Sequence, residues 1–193
     1  MQKSNGEAAN VKTGTEREPS SDERFMREAL RQARKAAALG EVPVGCVIVC
    51  EGQIIARGYN RREIDKSALA HAELRAIGKA CRRLGGWRLW QCDLYVTLEP
   101  CLMCAGAIIN ARVRRVVYGA ADDKTGAMGG RFAVQQAAGQ YQPEVAGGVC
   151  EAECRALLKS FFAEMREKRA AEAKNRQNQG QPDGEIKPQQ TEP

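Results

Sequence analysis

Short apolar runs bounded by turn residues recur along the chain and alternate with stretches of helical spacing, a pattern that few folds accommodate. Cys46-Val-Ile-Val-Cys50 reads as a strand, Glu51-Gly52 as a turn, and Gln53–Arg57 as the returning strand of a hairpin. Ahead of the hairpin, Ser20-Ser21-Asp22-Glu23 has the form of a capping box. Phe25, Met26, Ala29, Leu30, Ala33, Ala36 and Ala37 then make an apolar stripe that Gly40 closes. Beyond the hairpin the spacing predicts a helix from about Ala70 to Leu84, stopped by Gly85-Gly86, and a strand over Asp93–Leu98. It predicts a further helix over Pro100–Asn110, a strand over Arg114–Tyr118 and a long helix over Glu151–Arg169. Residues 122–150 are rich in glycine and give no clear pattern. Strands alternating with helices imply an α/β sheet covered on both faces, with the hairpin at its start.

A chain of 193 residues with 43% apolar and 28% charged residues has room for one domain and a real core. The polar ends predict disordered tails over residues 1–20 and 169–193 around a folded body at 21–168. Net charge is +6, and residues 23–163 hold 21 basic against 14 acidic groups, so the body is more basic than its tails. Such a surplus suits a polyanionic partner. No apolar run is long enough to span a bilayer, and the first residues contain no secretory apolar segment. These features predict a soluble cytoplasmic protein with no membrane partner. Its eight cysteines are then read as metal ligands or small packing residues rather than disulfides.

The chemistry is concentrated in two short pieces. The single histidine lies in Ala70-His71-Ala72-Glu73, and Glu99-Pro100-Cys101-Leu102-Met103-Cys104 follows about thirty residues later. Each stands at the start of a predicted helix, where partial positive charge favours thiolate over thiol. Cys101 and Cys104 are three apart, so a helix turns both sulfurs to one side. Two thiolates and one imidazole are a ligand set for zinc, and three protein ligands leave one position for water, as in catalytic rather than structural sites. Glu73, two residues from the histidine, is placed to move protons.

His71-x-Glu73 followed by Pro100-Cys101-x-x-Cys104 resembles the signature of the zinc-dependent nucleobase deaminases. Glu41-Val42-Pro43-Val44-Gly45, Gly58-Tyr59-Asn60, Thr97-Leu98-Glu99, Cys104-Ala105-Gly106-Ala107-Ile108 and Lys124-Thr125-Gly126 resemble the bacterial tRNA-specific adenosine deaminases more closely, over about residues 22–168. The resemblance implies the three-layer αβα sandwich of the cytidine-deaminase fold with a mixed central sheet. It also implies one Zn2+ per subunit on His71, Cys101 and Cys104, a homodimer, and hydrolytic conversion of the wobble adenosine in a tRNA anticodon stem-loop to inosine. Glu73 is then the catalytic proton carrier, Asn60 bonds the flipped base, Val44 packs on it, and Leu98 and Asp122 line the anticodon groove. Read from the residues alone, Asn60 equally ends a strand, Val44 and Leu98 equally belong to a core, and Asp122 equally caps a turn. Ser67-Ala68-Leu69 and Gln140-Tyr141 depart from the family pattern. Deamination of a free base or nucleoside, and a non-catalytic zinc scaffold with a fourth cysteine ligand, are the alternatives.

Outside these motifs, Cys150 and Cys154 lie one helical turn apart and are assigned to packing. Trp87 and Trp90 are expected to cover the sheet edge, and one ring of Phe161-Phe162 to pack inward. The arginines group at Arg57, Arg61 and Arg62, at Arg82, Arg83 and Arg88, and at Arg112, Arg114 and Arg115. The first group stands nearest Asn60 and is the best placed for phosphate.

Overall fold

The computed structural model describes residues 20–137, 139 and 141–178. Helix α1 (Ser21–Ala38) begins at the anticipated box: the Ser20 side chain accepts from the Glu23 N–H at 3.2 Å, and the Glu23 carboxylate accepts from the Ser20 N–H at 3.1 Å. Strands β1 (Gly45–Cys50) and β2 (Gln53–Tyr59) are joined by Glu51 (φ 50°) and Gly52 (φ 73°). That pair of positive φ values gives the two-residue turn whose twist suits a hairpin, and glycine adopts it without steric cost. Then come α2 (Ala72–Leu84), β3 (Cys92–Leu98), α3 (Leu102–Asn110) and β4 (Arg115–Ala120).

The glycine-rich segment, unreadable in sequence, adds a short helix α4 (Val134–Ala137) and a three-residue strand β5 (Glu144–Ala146). The sheet order is β2-β1-β3-β4-β5, antiparallel on both sides of β1 and parallel across β3-β4-β5. It is the mixed sheet that was expected.

Alternation along the strands divides the core in two. Cys46, Ile48, Leu94, Val96 and Val116 face α2 and α3, and Val47, Val49, Tyr95 and Val117 face α1 and the start of α5 (Glu151–Asn178). The molecule is therefore helix, sheet, helix in three layers. Gly58 lets α2 approach, because a Cβ there would collide with the Ala72 carbonyl. This close packing sets the depth at which the first turn of α2 meets the sheet.

The C-terminal boundary needs correction. Residues 169–178, expected to be disordered tail, continue α5, which ends at Asn178 rather than Arg169. Ala170, Ala171, Glu172, Ala173 and Lys174 are strong helix formers, so the helix propagates beyond its last core contacts as an exposed rod. The rest of that tail, and residues 1–19 of the N-terminal one, lie outside the described residues, as does Gln140. Trp87 and Trp90 are 51% and 58% exposed, so they do not seal the sheet edge as expected. Phe161 packs inward, and Phe162 stays exposed.

Candidate active site and its metal cluster

Helix α3 follows β3 directly, α2 follows β2 through the segment 60–71, and the N-termini of the two helices meet at one cluster. His71 is the N-cap of α2 and Cys101 the N-cap of α3, so Pro100 and Cys101 precede the first turn that was expected to contain them. Pro100, just ahead of the N-cap, fixes φ where the chain turns into the helix, and its carbonyl accepts from the Ala127 N–H at 2.9 Å. The His71 Nδ1 lies 3.4 Å from the Cys104 sulfur and 3.8 Å from the Cys101 sulfur, and the three ligand atoms all lie within 4.8 Å of one another.

Tetrahedral zinc, with Zn–S near 2.3 Å and Zn–N near 2.0 Å, requires nitrogen and sulfur about 3.5 Å apart. The donor set fits. Among the described residues no fourth cysteine, histidine or carboxylate joins the cluster. Cys46, Cys81, Cys92 and Cys154 do not approach it closely enough to close it.

The three donors perturb one another. Hydrogen bonds from Cys104 and then His71 pull the Cys101 thiol down to about 4, whereas sharing a proton with Cys101 pushes the Cys104 thiol far up. A cation held by these groups would favour both sulfurs as thiolates and the imidazole as neutral. Bonding to Cys101 raises the His71 imidazole, and burial raises Glu73. Glu73 is buried in the first turn of α2, and its Oε2 has no hydrogen-bond partner among the described residues. An orphaned buried acceptor beside three soft donors is a place for a polarised water.

A cleft of about 170 Å³ opens over this cluster and is lined by Val44, Asn60, His71, Glu73, Leu98 and Asp122, together with Cys101. The structure therefore brings every sequence-derived site residue to one cavity, with Cys104 buried beneath. Asn60 is buried, and its backbone N–H bonds the Val44 carbonyl at 3.0 Å. Asp122 serves its turn as well: Oδ1 accepts from the N–H groups of Lys124 and Thr125, and Oδ2 accepts from the Thr125 hydroxyl at 2.6 Å.

Two further carboxylates of the motifs, Glu99 and Glu41, are buried and hold the surroundings of the cleft together. Glu99, buried, accepts from the backbone N–H groups of Asp122, Met128 and Gly130 at 3.1, 2.9 and 2.8 Å. It ties the glycine-rich loop to the strand end that leads into Cys101. Glu41 is bonded to Asn60 and Ile64. The only sequence signal for either was an acidic residue set against apolar neighbours.

Comparison with known proteins agrees with this geometry. The profile of the cytidine and deoxycytidylate deaminase zinc-binding region matches residues 19–120. A tRNA-specific adenosine deaminase of Bacillus subtilis (strain 168) is 49% identical over 155 residues, which cover 80% of this chain and 96% of the relative. The chain belongs to the tRNA-specific adenosine deaminase family. Of solved structures, a chain from a study of A-to-I editing by tRNA:A34 deaminases at the wobble position of transfer RNA superposes with a TM-score of 0.65 at 45% identity, covering 70% of this chain and 99% of that one. A guanine deaminase from Nitrosomonas europaea gives the same score, 0.65, at 25% identity over 73% of this chain and 84% of its own. The family's cytidine-deaminase-like αβα fold is thus present here, with the zinc-binding region of a deaminase in it.

Proposed function

We propose that this protein hydrolytically deaminates adenosine to inosine at the wobble position of a tRNA anticodon. The observation that carries the reading is Glu73: a buried carboxylate, one oxygen of which has no partner among the described residues, in the lining of the cleft that His71 and Cys101 share. His71, Cys101 and Cys104 would hold one zinc ion per chain. Zinc, when bound, supplies the Lewis acidity that makes water a competent nucleophile near neutral pH.

The remaining work belongs to the chain's own side chains. Glu73 accepts the proton of the attacking water and delivers it to the departing amine, a role for which a carboxylate raised by burial is suited. Asn60 bonds the base, Val44 packs on it, and Leu98 and Asp122 border the way in. An anticodon loop presents its base already unpaired, so entry into a cleft this small costs little unstacking. The protein would act as a homodimer in the cytoplasm; among the described residues no helix is long and apolar enough to cross a membrane. Light scattering of the purified protein tests the dimer.

The likeness to a guanine deaminase favours a second reading, a free purine base as substrate, though at 25% identity against 45% for the wobble-editing structure. One experiment separates the two. Purified protein is incubated with an anticodon stem-loop transcript and, in parallel, with free guanine, cytosine and cytidine. Adenosine-to-guanosine changes confined to the wobble position on reverse transcription support tRNA editing. Ammonia released from a free base, with the transcript unaltered, overturns it.

A further inference from the structure

Glu41 is 1% exposed and forms no salt bridge among the described residues. Burying a carboxylate without a cation is costly unless its oxygens are fully used. Both are used: Oε1 accepts from the Ile64 backbone N–H at 2.8 Å, and Oε2 accepts from the Asn60 side-chain Nδ2 at 3.1 Å. We propose that Glu41 is a positioning residue that fixes which face of the Asn60 amide meets the substrate base. The inference rests on the reading of Asn60 as a base-contacting residue.

A side-chain amide turned over about its terminal torsion keeps its shape and exchanges a carbonyl for an NH2 group. Asn60 alone has no preference between the two. A carboxylate only accepts, so beside Glu41 the Asn60 nitrogen must point inward, and Oδ1 lies on the other side of the amide. The partner at Oε1 is a backbone N–H in the loop after Asn60 and cannot reverse, which holds Glu41 in place. The same carboxylate thus anchors the segment from Arg61 to Asp65, where Arg61 meets Asp65 at 2.8 Å.

Glu41→Gln removes the charge and leaves the shape. Its amide oxygen must stay with the Ile64 N–H, so its new NH2 group faces Asn60 and can only donate. The Asn60 amide then turns over and presents the inverted pattern to the cleft. In 15N-labelled protein the Asn60 side-chain amide resonances are expected to move strongly in this variant, while the Ile64 backbone amide stays hydrogen-bonded. Unmoved Asn60 resonances overturn the proposal whatever the substrate proves to be.

In the stem-loop assay, Glu41→Gln is expected to lower kcat/KM by on the order of 10- to 100-fold, the scale of one or two lost hydrogen bonds, with zinc content unchanged. In an Asn60→Ala background the same substitution should cost less than about twofold, because its effect passes through Asn60. Additive losses overturn the proposal. A wild type inactive on the stem-loop refutes tRNA editing instead, and the resonances still decide the orientation. If Glu41→Gln folds poorly, the exchanged pair Glu41→Gln/Asn60→Asp should regain the lost thermal stability. A double variant no more stable than the worse single one refutes the pairing.

Discussion

Glu73 combines two properties that conflict. It is buried, and one of its oxygens has no partner among the described residues, an arrangement that works against the folded state. We propose that Glu73 is held at this cost for chemistry rather than stability. Glu73→Gln keeps the shape and loses the ability to carry a proton. We expect kcat on the stem-loop to fall by about 10²- to 10⁴-fold, with zinc retained by mass spectrometry and the melting temperature equal to or above wild type. Cys104→Ala should give the opposite signature, because it removes a ligand sulfur that lies 3.4 Å from His71: zinc is lost on dialysis and activity with it. Glu73, His71, Cys101 and Cys104 were readable from sequence because each pair lies within one helical turn and the chain has a single histidine. Glu41 and Glu99 were not. Their partners stand 19 to 31 residues away, and nothing local marks an acidic residue as the acceptor for a distant backbone.

The elements are tied together at one point by Asp22. Its carboxylate, in the first turn of α1, accepts from the Tyr95 hydroxyl of β3 at 2.8 Å and from two nitrogens of Arg115 of β4 at 2.8 and 2.9 Å. The same guanidinium reaches Glu144 of β5 at 3.0 Å. The Arg115 hydrogen bonds hold Asp22 below its ordinary value of 3.8. A lowered folded-state value contributes stability that is present above the unfolded value and lost as pH falls through the folded one. Asp22→Asn should therefore cost about 1.5–3 kcal/mol in urea melts at pH 7, and the gap to wild type should close on acidification below about pH 4.

Glu99 joins elements in a different way, three backbone N–H groups on two oxygens. Glu99→Gln leaves one acceptor where two are needed. We expect a loss of about 1–3 kcal/mol and faster proteolysis within residues 122–130. Local order explains what was anticipated at this scale, the capping box of α1 and the Glu51-Gly52 turn above all. Strand β5 escaped notice because three residues in a glycine-rich segment gain their ladder from β4 and not from their own pattern.

At the scale of the molecule, a surplus of positive charge matters only where it is unspent. Arg114 is bonded to Asp93, Arg115 to Asp22 and Glu144, Arg57 to Glu28, and Arg61 to Asp65. These four cations are largely neutralised by their own protein, whereas Arg82, Arg83, Arg88 and Arg112 form no salt bridge among the described residues. Arg62 likewise has no salt bridge among the described residues, and of these unpaired arginines it is the one that lines the cleft. A phosphate beside the extruded nucleotide would find its counter-charge there. Each phosphate contact adds close to one to the slope of log affinity against log salt concentration, so Arg62→Ala should lower that slope by about 1 for the stem-loop and weaken binding most at low salt. Arg114→Ala, whose guanidinium is already paired, should leave the slope unchanged. Equal slopes for wild type and Arg62→Ala, measured by fluorescence anisotropy between 50 and 200 mM salt, would remove Arg62 from the RNA path and leave the body's charge as a diffuse field.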